Sequence, residues 1–117
     1  MTTMKAMSQP APPAYLGELE QLLLLAILQC GGDAYTVPIR QVLADKSRRR
    51  IGRGALYTSL DRLESKGFVT SRLGEPLAER GGRSRRYYAV TGAGIEAVRA
   101  ARAAMADLSQ GLESVLG

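Results

Sequence analysis

Hydrophobic positions recur with a helical period in four blocks of the chain and with a strand-like pattern in two. Over 16–30, LGELEQLLLLAILQC, Leu19, Leu22, Leu23, Ala26, Ile27 and Cys30 fall three or four residues apart, which predicts a helix. Leu24, Leu25 and Leu28 widen the apolar surface to nearly all round, so this helix is expected to be buried on more than one side. Gly31-Gly32 stops it, and Asp33 is a candidate cap for the next helix. Over 34–46, AYTVPIRQVLADK, the positions Tyr35, Ile39, Val42 and Leu43 give a shorter helix. Pro38 has no N–H to donate and fits only a first turn, which sets the start near Thr36. A basic turn, SRRRIGR, leads to a third helix over 53–66, RGALYTSLDRLESK, closed by Gly67. There Leu56, Leu60 and Leu63 share one face. The opposite face holds Gly54, Ala55, Thr58, Arg62 and Ser65, with Tyr57 and Asp61 at its flanks.

The period then changes. FVTSRL (68–73) and RYYAV (86–90) are rich in β-branched and aromatic residues, and the Gly/Pro/Arg run GEPLAERGGRSR lies between them. Two short strands around such a loop predict a β-hairpin with a basic tip. Tyr87 and Tyr88 must face opposite ways, one toward the core. Arg83, Arg85 and Arg86 alternate too, so they cannot all meet one surface unless the loop curls. From Thr91, an N-cap, a last helix is expected to run to Leu116, with Ile95, Val98, Ala101, Met105, Leu108, Leu112 and Val115 on its apolar stripe and Gly111 weakening its last turns. This helix comes after a completed small domain and has no obvious partner within the chain. A homodimer packed through the first and last helices is the simple inference, with Leu19, Leu22, Leu23, Ile27, Val98, Met105, Leu108 and Leu112 as its contact residues.

The expected organisation is a disordered Pro-containing tail over 1–14, a folded domain of three helices and a hairpin over 15–90 and a dimerisation helix over 91–117. The fold class is mainly α with a small β-hairpin. No apolar run exceeds seven residues (Leu22 to Leu28), too short to span a bilayer, and the start of the chain does not read as a secretory signal, so a cytoplasmic protein is expected.

Charge and residue chemistry narrow the function. The net charge of +5 conceals an uneven distribution. Between Arg40 and Arg86 there are thirteen Lys/Arg and five Asp/Glu, a local net of +8, the footprint of a polyanion binder. The chain has no His and a single Cys30. That removes His-dependent acid–base chemistry and internal disulfides, and argues against a structural zinc site, an enzyme, a metal site or a cofactor. Cys30 reads as a small buried hydrophobe and Asp61 as the partner of a nearby Arg.

Three stretches resemble one family. AYTVPIRQVL, RGALYTSLDRLESKGFV and EPLAERGGRSRRYYAVTGAG together are similar to the PadR family of bacterial transcription regulators, over about residues 15–105. The combination of G-A-L-Y-x-x-L-D-R-L-E-x-K-G, a G-G-R-x-R-x-Y-Y wing and T-x-x-G is far more specific than a lone helix-turn-helix pattern. The resemblance implies a homodimeric winged helix-turn-helix repressor or activator of the short kind, with its third helix in the DNA major groove and its wing at the backbone or minor groove. Some short members bind planar drugs between interface tryptophans; this chain has no Trp, and an effector stays open. Candidate DNA-contacting residues are Tyr35, Arg48, Arg49, Arg50, Arg53, Gly54, Ala55, Tyr57, Thr58 and Arg62, with Arg83, Ser84, Arg85 and Arg86 in the wing. A phosphate contact is favoured for Arg62, while base reading stays open. The competing readings are a winged-helix module for an acidic protein partner and a basic RNA-binding protein. Aromatics at only 5% weaken the latter, because RNA readers stack bases on exposed rings.

Overall fold

The structure, a computed structural model, describes residues 16–76 and 84–117. The expected tail over 1–14 and the wing-tip Arg83 lie outside the described residues. Helix α1 spans Glu18–Cys30, α2 Thr36–Ser47 and α3 Arg53–Ser65. Strands β1 (Val69–Pro76) and β2 (Ser84–Val90) pair antiparallel, and α4 (Gly92–Ser109) and a short α5 (Glu113–Leu116) complete the chain. This is a mainly helical winged-helix fold, as the periodicity predicts.

The core is built where the three first helices meet the base of the hairpin. Leu23, Leu24, Ala26 and Ile27 of α1 pack with Ile39 and Leu43 of α2, Leu56, Leu60 and Leu63 of α3, and Phe68, Val69, Tyr88 and Val98. Of the paired tyrosines, Tyr88 is the inward one. Helix α1 is enclosed on three sides, yet Leu25 and Leu28 are left exposed, 38% and 46%. Leu23, Ile27 and Val98, expected at a dimer contact, are only 0%, 2% and 5% exposed and belong to the core of the single chain. Leu23 and Ile27 lie on the face of α1 that the hairpin and α4 cover, and Val98 lies on α4 facing that core.

Other local expectations change. Asp33 does not cap α2: it lies in a 3-10 turn over Gly31–Asp33, and its carbonyl accepts the Tyr35 N–H at 2.9 Å. Tyr35 occupies the N-cap position with no side-chain bond. The strands are longer than expected, and an irregularity between Leu73 and Pro76 brings the start of the loop into the ladder. Gly74 allows this, since a Cβ there would stand 2.6 Å from the Tyr87 ring. The last helix is not continuous. Gly111 takes φ 85°, a conformation open to glycine, and the chain turns between α4 and α5. Cys30 is half-buried rather than enclosed; burial, and then Asp33, push its thiol up from the ordinary range.

Candidate nucleic-acid interface

Helix α3 lies with Leu56, Ser59, Leu60 and Leu63 inward and Arg53, Gly54, Ala55, Tyr57, Thr58, Asp61 and Arg62 exposed. Its first turn begins at Gly52, which makes no side-chain cap, so the early N–H groups point outward without a protein acceptor from the cap. An anion is favoured at such a terminus. Gly54 has open space around it: a Cβ would meet nothing within 4 Å. Among the described residues nothing packs against position 54, and Ala55 beside it is exposed.

Two contacts fix how α3 is presented. At its C-terminal end, Lys66 Nζ meets both carboxylate oxygens of Glu20 at 2.9 Å, and the Glu20 carboxylate also accepts the Gly17 N–H. Burial pushes the Glu20 carboxyl up, but the Gly17 hydrogen bond and Lys66 outweigh it and hold the group below its ordinary value. At its N-terminal end, Arg40 Nε donates to the Ile51 carbonyl at 3.2 Å, bracing the turn that carries Arg48, Arg49 and Arg50. All three of these arginines are exposed, and Arg48 adopts φ 60° as the left-handed cap of α2. Arg49 is already engaged, 2.7 Å from Glu18. Asp61 forms no ion pair with a described residue, against expectation.

The hairpin splits its consecutive arginines. Arg86 is exposed on the side of α3, where Nη1 donates to Ser71 Oγ at 3.0 Å and Ser71 donates in turn to the Glu64 carboxylate. Arg85 turns to the other side and lies over the Tyr35 ring, 4.2 Å from its centroid. Tyr35 meets Tyr87 edge-on at 5.5 Å, and Arg72 lies over Tyr87 at 4.7 Å. Ser84, Arg85 and Tyr35 are half-buried. The structure thus brings α3, the preceding turn and the flank of the wing onto one basic side, while Arg85 and Tyr35 face each other. The Arg40 brace, the Lys66–Glu20 pair and the Arg85–Tyr35 contact escape sequence reasoning. Each joins residues distant in the chain, and only the local excess of Arg hints at them.

The family model described as "Transcriptional regulator PadR-like family" matches residues 24–100. The chain belongs to this family. It is a PadR-like transcriptional regulator, and not an enzyme. Among solved structures, a PadR-like transcription factor from Bacteroides fragilis is similar, with a TM-score of 0.68 and 24% identity over 97% of this chain and 94% of that one. A PadR family transcriptional regulator from Eggerthella lenta is 29% identical, with a TM-score of 0.64 over 85% of this chain and 86% of that one. A Streptococcus transcriptional regulator is 26% identical, with a TM-score of 0.65 over 85% and 92%. A search of curated proteins finds no match. The PadR match covers α1 from Leu24 on, α2, α3, the wing and the first half of α4. Among the described residues, no helix is long and apolar enough to cross a membrane, and no cluster of His, Cys, Asp or Glu is placed to hold a metal.

Proposed function

We propose that this PadR-like regulator is a homodimeric repressor that binds double-stranded DNA at specific sites, with α3 in the major groove and the wing along the backbone or minor groove. The observation that carries the reading is the outward face of α3. Gly54, Ala55, Thr58 and Arg62 are exposed, serve no core, and lie beside an uncapped helix N-terminus and a basic turn. A major groove about 12 Å wide admits such a helix, and its phosphates supply most of the affinity. Arg62 and Arg53 suit phosphates or guanine edges, and Arg48 and Arg50 suit the flanking backbone.

The dimer is supported by exposed apolar side chains. Met105, Leu108, Leu112 and Val115 are 64%, 78%, 45% and 77% exposed, and Leu25 and Leu28 on α1 are exposed as well. An apolar stripe of that extent is a docking surface rather than a solvated one. Leu19 and Leu22 of α1 are half-buried and pack against the core. In such a dimer the two α3 helices would reach successive major grooves about 34–36 Å apart, and the operator would be an inverted repeat.

The test is fluorescence anisotropy across a salt series, with duplex DNA from upstream of the protein's own gene, scrambled duplex and structured RNA. Tight binding to the upstream duplex, with a preference that survives high salt, is expected. Arg62→Ala should reduce the slope of log affinity against log salt by about 0.9, one phosphate contact. Equal binding to all three probes, vanishing with salt, would reduce the protein to a basic surface. Stronger binding to RNA would favour an RNA-binding role.

A further inference from the structure

The wing is held to α3 through Ser71 and Glu64, and it meets the start of α2 at two adjacent residues. The Tyr88 N–H donates to the Ala34 carbonyl at 2.8 Å, and the ring of the next residue, Tyr35, receives Arg85 at 4.2 Å and the edge of Tyr87 at 5.5 Å. The edge-on rings and the Arg85 guanidinium add an attachment on the α2 side beyond the Tyr88–Ala34 hydrogen bond, opposite the Ser71–Glu64 contact with α3. Across the ladder, Arg72 covers the far side of this cluster at 4.7 Å from the Tyr87 centroid, and the Tyr87 ring closes over Gly74. The cluster therefore runs from the start of α2 to the outer half of the wing. Arg85 and Tyr35 are both half-buried, whereas the neighbouring Arg86 is exposed on the opposite side of the strand.

We propose that the Arg85–Tyr35–Tyr87–Arg72 cluster sets the angle of the wing against α2 and α3, and that Arg85 serves DNA binding as a positioning residue rather than as a phosphate contact. This rests on the proposed binding of duplex DNA. It separates two arginines that adjacent sequence positions make look equivalent. A phosphate drawing Arg85 outward would have to draw its guanidinium off the Tyr35 ring. Arg is suited to this role by its planar, delocalised, weakly hydrated cation, which Lys does not reproduce.

The experiment is the salt series on the upstream duplex with Arg85→Met, Arg85→Lys, Tyr35→Leu and the double variant Tyr35→Leu/Arg85→Met. Folding of each is checked by circular dichroism. Arg62→Ala is the reference for a lost phosphate contact. Arg85→Met and Arg85→Lys should each weaken binding about threefold to thirtyfold at every salt concentration, with the slope unchanged. The double variant should be little weaker than Tyr35→Leu alone, since both remove one contact. A slope reduced by about 0.9 in Arg85→Met, with affinity restored in Arg85→Lys, would make Arg85 a phosphate contact and overturn the proposal. Additive losses in the double variant would overturn it as well. If Tyr35→Leu does not fold, the Met and Lys variants at Arg85 decide by the slope alone. Absence of duplex binding by the wild-type protein would instead overturn the underlying reading, and the proposal with it.

Discussion

Gly94 occupies a position where one methyl group is too many. A Cβ there would stand 2.2 Å from the Phe68 carbonyl oxygen and 2.8 Å from Val90 Cγ1. Its N–H donates to Thr91 Oγ1 at 3.0 Å, and that hydroxyl donates to the Gly67 carbonyl at 2.7 Å. The T-x-x-G motif is thus a weld between the end of α3, the hairpin and α4. Gly94→Ala should destabilise the protein by about 2 kcal/mol or more, because the opposing atom is backbone and cannot swing aside. Thermal unfolding would show it, and an unchanged Tm would contradict the weld. Glu20 provides a second residue-level test. Its folded-state pKa is lowered, so it contributes stability that is present above the unfolded carboxylate pKa, about 4.3, and lost as pH falls through the folded value. Denaturant unfolding at pH 7 and below pH 4 should show a pH-dependent component that Glu20→Gln removes. A variant that retains the full acid sensitivity would place that component elsewhere.

At the scale of the element, α3 has two faces under different constraints. Its inner leucines were readable from their spacing alone, and the structure buries all three. Its outer face carries a glycine in the first turn, which costs about 1 kcal/mol of helix stability relative to alanine. Nothing among the described residues requires that glycine. Gly54→Ala should therefore stabilise the fold by about 0.5–1 kcal/mol while weakening duplex binding, since the methyl group would stand between helix and groove. Paired measurements of unfolding and anisotropy check this. A variant that is more stable and binds equally well would remove the close approach from the account. The hairpin differs from α3 in how much its sequence revealed. Alternation correctly separated Tyr88 from Tyr87, but it could not say which neighbour Arg85 or Arg86 would meet. Those partners, Tyr35 and Ser71, come from elsewhere in the chain.

For the whole molecule, the distribution of exposed apolar surface is what supports the proposed dimer. Three of the eight residues expected at a dimer contact, Leu23, Ile27 and Val98, are needed for the chain's own core. What is left outside is a stripe along the second half of α4, continued by Leu112 and α5, together with Leu25 and Leu28 of α1. Leu108→Glu should shift dimers toward monomers in sedimentation velocity without loss of helix content, since Leu108 is 78% exposed in the single chain. It should also weaken operator binding, because one half-site replaces two. A variant that still sediments as a dimer would move the interface off α4.

Helix order, the strand pair, the inward leucines of α3, the basic middle of the chain and the family motifs are local in character. Each arises from spacing, composition or a short run of residues, and so each was determined by the sequence itself. The division of α1 between core and surface was not, because its leucines are alike and only the packing of α2, α3, α4 and the hairpin decides which are covered. The break at Gly111 and the roles of Tyr35, Arg85, Arg86 and Glu20 also belong to the tertiary structure. Periodicity reports which face of an element is apolar, whereas the partner of a charged or aromatic side chain is set by chain segments many residues away, brought together only when the core closes.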